Sequence, residues 1–462
     1  MSPSLDHPAL VSPAIGVKRR LLRATAATRM IDDRLESEID ATESRKGPAP
    51  MPRIFPGRAV LTVFLLTHGS LADDPGPPVS ERAKRVHAAG MLFDGHNDLP
   101  WRLRVAGDMA LESIDLAKRS TDGQTDIPRM REGGLKAQFW SVYIPSEHEN
   151  PARTVLEQID LVHRLVDRYP ADLAMAYSAD EVERVVKSGK IASLIGIEGG
   201  VAIEDDLAML RIFARLGARY MTLTHNKTLE WADAATDAPR HEGLTPFGER
   251  VVREMNRLGM LADISHVAPA TMADVLRVSK APVIASHSSA RALADHPRNV
   301  PDSILKELPK NGGVIMVNFF SGFIVPEAGT IWRDRQAIRA QYPDPAQYRK
   351  AVAAFDKDHP MPRGTIQDVA NHIDHIAKVA GIDHVGIGSD YDGVTSVPVG
   401  LEDVSTYPRL TDELLRRGHS EADIHKILGG NVLRAFRRAG EVATELQKST
   451  RPEISAIKAE KD

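Results

Sequence analysis

The chain has 462 residues, of which 42% are hydrophobic and 26% are charged, the composition of a soluble globular protein. Its 59 basic and 63 acidic residues give a net charge of −4, so no basic surplus indicates a nucleic-acid partner. Cysteine is absent, which excludes disulfides, thiolate metal ligands and a cysteine nucleophile. Any metal site must therefore use histidine and carboxylate ligands.

The first 72 residues differ from the rest of the chain. Residues 1–50 are polar and lack sustained periodicity, which predicts a disordered or non-native extension. Residues 51–72 combine a basic start, a short apolar centre and small residues before a cleavage point, the pattern of a secretory signal peptide. A signal peptide is read at an N-terminus, so we expect translation to start at Met51 and the mature protein to be exported, periplasmic or secreted. A disordered extension with one apolar segment is the alternative.

From about residue 84, short apolar runs typical of strands alternate with helical stretches. The predicted strands are 91–95, 137–144, 191–197, 219–224, 260–265, 282–286, 313–319 and 384–389. The predicted helices are 152–169, 180–188, 203–216, 246–258, 268–278, 301–309, 364–380, 410–417, 421–428 and 431–446. Eight strands in this order favour an α/β fold, the (β/α)8 TIM barrel, over an open doubly wound sheet.

Two insertions interrupt this alternation, at 101–135 and 321–363. The second is rich in proline and charge, and we expect it to fold over the mouth of the barrel. The sequence therefore predicts one barrel domain over residues 84–446, with extra C-terminal helices and a mobile tail over 447–462.

Six of the eight predicted strands end at a His, Asp or Glu, on the barrel face where active sites lie. His96 and Asp98 are two residues apart after the first strand, so they point the same way and can hold one cation. His266 and His287 end the fifth and sixth strands and would complete a second site. The two oxygens of Glu198 can bridge the two cations. Any single histidine could equally hydrogen-bond a loop, but five such groups on one face favour a metal site.

Two cations held about 3.5–4 Å apart can bind one water between them as hydroxide. The nitrogen and oxygen ligands suit two Zn²⁺ ions, with Mn²⁺ or Co²⁺ as substitutes. We expect Asp390 to move the proton from the attacking water to the leaving group, with Asp392 as its competitor. His225 is placed to donate to a developing oxyanion. Arg298 can pair with a carboxylate through two hydrogen bonds, unless it forms an ordinary surface ion pair.

The sequence resembles the membrane (renal) dipeptidase family of metallopeptidases from about residue 94 to residue 441. The matching motifs are DGHNDLPW at 94–101, IEGG at 197–200, LTHN at 223–226, SHSSA at 286–290, RNVPD at 298–302, GSDYDG at 388–393 and GLEDV at 400–404. This resemblance implies a binuclear zinc hydrolase on a TIM barrel that cleaves the peptide bond of dipeptides. It also implies a homodimer.

Transferred position by position, the resemblance assigns a role to each residue singled out above. His96 and Asp98 would bind one zinc ion, His266 and His287 the other, and Glu198 would bridge them. His225 and Arg298 would hold the substrate and Asp390 would handle the proton. Unlike mammalian members, this chain has no cysteine and six of its last twelve residues are charged, so we expect no stable membrane anchor once the signal is removed.

Two other functions are consistent with the pattern. One is a related barrel amidohydrolase acting on a lactam or another cyclic amide. The other is a catalytically inactive, metal-stabilised binding protein, but such a protein would be expected to have lost Asp390 or His225, and both are present.

Overall fold

A computed structural model of the chain describes residues 78–453 except 107, 108, 110, 113 and 343. The predicted extension (1–50), the predicted signal peptide (51–72) and the tail beyond residue 453 lie outside the described residues. The strands in the described part are β1 (Leu92–Asn97), β2 (Leu135–Tyr143), β3 (Leu173–Met175), β4 (Ile191–Glu198), β5 (Ala218–Thr222), β6 (Leu261–Asp263), β7 (Ile284–Ala285), β8 (Val314–Val317) and β9 (Val385–Ile387).

Eight of these strands form a closed parallel barrel, which confirms the predicted TIM-barrel fold. The barrel closes where β2 passes directly to β4, from the pair Ala137↔Ala192 to the pair Tyr143↔Glu198. β3 lies outside the ring. It pairs only with the first three residues of β4, and the last residues of β4 pair with β5 on the same edge. The sequence did not predict this short strand.

Helices connect the strands and cover the outside of the barrel. Those in the described residues are α1 (Glu81–Ala89), α2 (Leu99–Val105), α3 (Ile127–Glu132), α4 (Pro151–Arg168), α5 (Ala179–Lys187), α6 (Leu207–Arg215), α7 (Pro246–Leu258), α8 (Pro269–Val278), α9 (Asp302–Leu305), α10 (Leu308–Asn311), α11 (Ser321–Ile324), α12 (Ala328–Gln341), α13 (Pro345–Asp358), α14 (Ile366–Ala380), α15 (Tyr407–Arg416), α16 (Glu421–His425) and α17 (Asn431–Ser449). Within this part of the chain, no helix combines the length and the apolar character needed to cross a membrane.

Local backbone chemistry explains where two predicted helices differ from the observed ones. The helix predicted at 203–216 begins only at Leu207, because Glu204 and Asp205 have positive φ and the side chain of Asp206 caps the first turn. The helix predicted at 301–309 is instead two short helices, α9 and α10, and Pro309 has no N–H to continue the first one. By contrast, α7 ends where the sequence predicts, before Gly259, which adopts the left-handed conformation (φ 74°).

The barrel interior is apolar and extends onto the last helix. Phe93, Phe139 and Met316 are fully buried and belong to the same cluster as Val432 and Phe436 of α17. The ring centroids of Phe139 and Phe436 are 6.2 Å apart. α17 therefore packs against residues of the barrel interior, and it continues to Ser449, so it includes the first three residues of the predicted tail.

A buried histidine outside the barrel predicts a pH-dependent stability. His87 of α1 lies with Nδ1 2.7 Å from Thr411 Oγ1 and Nε2 2.8 Å from the Gly133 carbonyl, and burial lowers its pKa to about 4. In the unfolded chain the pKa of this histidine is about 6.5. Between pH 4 and pH 6.5, His87 therefore binds a proton in the unfolded chain but not in the folded one. Stability from this residue is therefore complete above pH 6.5 and is lost as the pH falls toward 4, by up to about 3 kcal/mol.

We expect His87→Gln, which keeps a donor for Gly133, to weaken this dependence. The measurement is the free energy of unfolding in urea at pH 7 and pH 4.5 for both proteins. The wild type should lose more stability between the two pH values than the variant. Equal losses would show that His87 is not responsible.

Candidate active site

The strand ends bring the predicted site residues together at the carboxyl face of the barrel. Glu198 is the last residue of β4, and His96 lies near the end of β1. The remaining members follow their strands within three residues, except Arg298, which lies further along the loop after β7. The full set is buried or nearly so: His96, Asp98, Glu198, His225, His266, His287, Arg298 and Asp390.

Glu198 lies at the centre, and each of its oxygens faces a different group of side chains. Oε2 is 3.3 Å from His96 Nε2, which is itself 3.2 Å from Asp98 Oδ2. Oε1 is 3.0 Å from His266 Nε2 and 3.5 Å from His287 Nε2. The structure therefore places one carboxylate between two sets of nitrogen and oxygen donors.

The donor set fits a pair of divalent cations. Three groups have ligand atoms within 4.8 Å of one another, namely His96–Asp98–Glu198, Glu198–His266–His287 and His96–His287–Asp390. The buried Nε2 of His96 lies close to both carboxylates but, within the described residues, makes no hydrogen bond of good geometry. The Nε2 atoms of His266 and His287 lie 3.0 Å apart, and two neutral imidazoles can share this position with Glu198 around a cation.

The electrostatics of the cluster also require positive charge. Burial raises the pKa of Glu198, but the charge of His96 and a hydrogen bond with His266 lower it well below the usual value. Burial likewise lowers the pKa of His96, yet the acidic groups around it, Tyr220, Asp98 and Glu198, raise it far above its ordinary value. The carboxylates around His96 thus favour positive charge at this point, which a metal ion would supply.

The remaining imidazoles are held neutral. Burial lowers the pKa of His266 and of His287 well below the usual value, and Arg298 acts in the same direction on both. Neutral imidazole is the form that binds a metal ion. Burial raises the pKa of Asp390 well above its usual value, and although His96 opposes this, the nearby carboxylates reinforce it.

Two site residues adopt the left-handed backbone conformation, His266 with φ 68° and Asp390 with φ 65°. Such conformations cost about 1–3 kcal/mol in a residue with a side chain and persist where the surroundings impose them. Glycine is needed at position 393, beside Asp390, because a Cβ there would lie 2.1 Å from Asp98 Oδ2 and 2.8 Å from Asp390 Oδ1. The loop after β9 is thus shaped around the carboxylates.

The competing carboxylates Asp390 and Asp392 lie in different surroundings. Asp390 Oδ1 is 3.9 Å from His96 Nε2, and its Oδ2 accepts a hydrogen bond from Asn318 Nδ2 at 2.8 Å. Asp392 instead accepts from the Gln124 backbone N–H at 2.7 Å and from Arg102 Nη1 at 3.3 Å. Only Asp390 therefore faces the cluster, whereas Asp392 holds the neighbouring loop.

Arg298 is buried with neutral partners, so it is not a surface ion pair. Its side chain donates to Ser288 Oγ at 3.3 Å and to the His287 carbonyl at 3.4 Å, and it lies 5.1 Å from the centre of the Phe323 ring. Its Nε has no partner among the described residues. Burial lowers its pKa to about 10, so it stays charged at neutral pH. His225 Nε2 lies 3.8 Å from Glu198 Oε1.

A cavity of about 440 Å³ opens above these residues. Besides the predicted residues, aromatic side chains line it that the sequence did not single out: Trp101, Tyr143, His296, Phe320 and Phe323. Phe320 directly precedes the 321–363 insertion and Phe323 lies within it, which agrees with the expected position of the insertion at the barrel mouth. Phe320 directly follows the predicted strand 313–319, so an aromatic residue at a strand end was the available signal.

A second group of residues that the sequence did not single out holds the site residues through hydrogen bonds. His96 Nδ1 lies 2.8 Å from the Tyr220 hydroxyl. Ser141 Oγ donates to Glu198 Oε2 at 3.1 Å. Asp94 and Asp263 are fully buried in strands, where an unpaired carboxylate would be costly. Polar residues inside otherwise apolar strands were the signal that the sequence offered.

Comparison with known proteins identifies the family of this chain. The family model of membrane dipeptidases (peptidase family M19) matches residues 80–450. Dipeptidase 3 of Mus musculus is 41% identical over 373 residues, which cover 79% of this chain and 68% of the mouse protein.

Two solved structures have the same fold over nearly their whole length. The probable dipeptidase PvdM from Pseudomonas aeruginosa has a TM-score of 0.70 and 26% identity, covering 78% of this chain and 98% of that one. A metallopeptidase from Rhodobacter sphaeroides, solved with a phosphinate mimic of the dipeptide L-Ala-D-Ala, has a TM-score of 0.62 and 25% identity, covering 76% and 99%.

Proposed function

Because this chain belongs to the membrane dipeptidase family and is a metallo-dipeptidase, we propose that it hydrolyses dipeptides with two zinc ions at the Glu198 cluster. His96 and Asp98 would hold one ion, His266 and His287 the other, and Glu198 both. The observation that carries this proposal is that the two oxygens of Glu198 face separate donor groups, at 3.3 Å and 3.0 Å. Mn²⁺ and Co²⁺ accept the same ligands.

Two such cations would supply a water activated as a nucleophile at neutral pH and a Lewis acid for the scissile carbonyl. Asp390 would take the proton of this water and return it to the leaving amine. Its position supports this role, because Oδ1 lies 3.9 Å from His96 Nε2 while Asn318 holds Oδ2. His225, at the rim of the cluster, would donate to the carbonyl oxygen as negative charge develops there.

Arg298 would bind the free carboxylate of the dipeptide. It is a charged side chain that lines the cavity, and within the described residues its side-chain hydrogen bonds go to a hydroxyl and a carbonyl, so it can still pair directly with an anion that enters the cavity. A carboxylate fixed at this point sets the distance to the metal site, which restricts the substrate to two residues. The bound dipeptide mimic in the Rhodobacter sphaeroides relative supports this substrate class.

Metal removal tests the proposal. We expect a chelator to abolish hydrolysis of a panel that includes L-Ala-L-Ala and L-Ala-D-Ala, and zinc to restore it, because the reactive water requires the cations. Metal content per chain is measured on the same samples. Activity that is indifferent to chelation would contradict the metal mechanism, and turnover of lactams but not of dipeptides would favour the related amidohydrolase.

Export of the chain and a homodimeric assembly stay predictions. The first rests on residues 51–72 and the second on the family resemblance.

A further inference from the structure

His287 has a hydrogen-bonded chain behind it that leads away from the cavity. Its Nδ1 lies 2.7 Å from Ser286 Oγ, and Ser286 Oγ lies 2.7 Å from Asp263 Oδ2. All three side chains are buried to within 1% exposure. None of them reaches bulk water, so the direction of each hydrogen bond is fixed by the partners present.

The donors around Asp263 determine that direction. Its Oδ1 accepts the backbone N–H groups of Ser265 at 3.0 Å and Ser286 at 2.8 Å, and its Oδ2 accepts the Thr222 hydroxyl. Four donors, counting Ser286 Oγ, surround a group that as a carboxylate only accepts. The single hydroxyl proton of Ser286 is therefore directed to Asp263, so Ser286 Oγ must accept from the Nδ1–H of His287. In a neutral ring this leaves the lone pair on Nε2, the atom that faces Glu198.

We propose that Asp263 is a positioning residue that acts through Ser286 to hold His287 in the tautomer and orientation needed for metal binding. Histidine ligands of metal ions usually donate their other N–H to a carboxylate, carbonyl or water. Here a serine hydroxyl is interposed between the imidazole and the carboxylate. This inference rests on the metal site proposed above.

A second aspartate, Asp94, accepts hydrogen bonds in the same pattern as Asp263. Asp94 accepts the backbone N–H of His96, two residues on, at 3.2 Å. It also accepts the N–H of Ser389 at 2.9 Å and the hydroxyl of Ser389. Each serine directly precedes a site residue, Ser286 before His287 and Ser389 before Asp390. Of these two serines, Ser286 contacts an imidazole nitrogen and Ser389 does not, so of the two aspartates Asp263 is the one connected to a predicted metal ligand.

Thr222 provides a matched control. Ser286→Ala and Thr222→Val each remove one hydroxyl donor to Asp263 Oδ2, but only Ser286→Ala removes the acceptor of His287 Nδ1. The full chain is loaded with zinc, and each ion is titrated with chelators of graded affinity. The visible spectrum of the Co²⁺-loaded protein reports the ligand geometry, and melting temperatures of the metal-free proteins report folding.

We expect Ser286→Ala to lower the affinity for one of the two ions by about 10–100-fold and to change the Co²⁺ spectrum. Thr222→Val should bind metal like the wild type. Asp263→Asn should lower the affinity for the same ion, and the double variant with Ser286→Ala should bind that ion little more weakly than either single variant. Equal metal binding in Ser286→Ala and Thr222→Val would overturn this inference but leave the proposed metal site standing. A wild-type chain that takes up no metal would overturn the proposed metal site with it.

Discussion

Glu198→Gln is expected to lower kcat/KM for dipeptides by about 10³ or more and to reduce the metal content of the chain. The amide keeps the size of the side chain but offers one ligating oxygen instead of two, so it cannot serve both donor groups. Removing one partner from a buried set of charges costs roughly 3–5 kcal/mol. If that loss appears in the transition state, it corresponds to about three decades in rate.

The control for this experiment is Ser141→Ala. Ser141 Oγ donates to Glu198 Oε2, so this variant perturbs the same oxygen without removing the carboxylate. A single neutral hydrogen bond contributes about 1 kcal/mol, so we expect a loss within about tenfold and a normal metal content. Metal analysis of the three purified proteins is made beside the dipeptide assay. Full metal content and activity in Glu198→Gln would show that the carboxylate does not bridge.

The barrel could be predicted because its strands carry strong local signals. Each of the eight predicted strands overlaps an observed one, since buried parallel strands read as continuous apolar runs. β3 was missed because Leu173–Met175 is only three residues long and has no β-branched side chain. Helices α12 and α13 lie in the stretch that was read only as an insertion, because few of their residues are buried and an apolar face was hard to see.

The site was predictable where side chains stand at strand ends, and not where they act through other residues. His96, Glu198 and His266 follow apolar runs, so the barrel topology alone predicts that they converge. Asp263 and Ser286 contact one another only because β6 and β7 are neighbours, a relation that local sequence does not contain. The choice between Asp390 and Asp392 likewise depended on which of them faces the cluster.

Arg298→Ala is expected to raise KM for dipeptides by about 10²–10³ and to change kcat less. A contact that is equally strong in the ground state and the transition state affects KM alone. Hydrogen bonds and ion pairs to a buried guanidinium are worth several kcal/mol when the partner is charged. Steady-state kinetics on one dipeptide separate the two constants, and a fall in kcat with an unchanged KM would mean that Arg298 acts on the reacting bond instead.

The sharper form of this experiment varies the substrate together with the protein. A dipeptide whose carboxylate is replaced by a carboxamide has the same length but lacks the charge that Arg298 would bind. The wild type should strongly prefer the free carboxylate, whereas Arg298→Ala should treat the two substrates almost alike, because the partner of the carboxylate is gone. Arg298→Lys keeps the charge without the planar fork, so it should recover part of the preference. If Arg298→Ala still discriminated against the carboxamide as strongly as the wild type, another group would bind the carboxylate, and the limit to two-residue substrates would need a different origin.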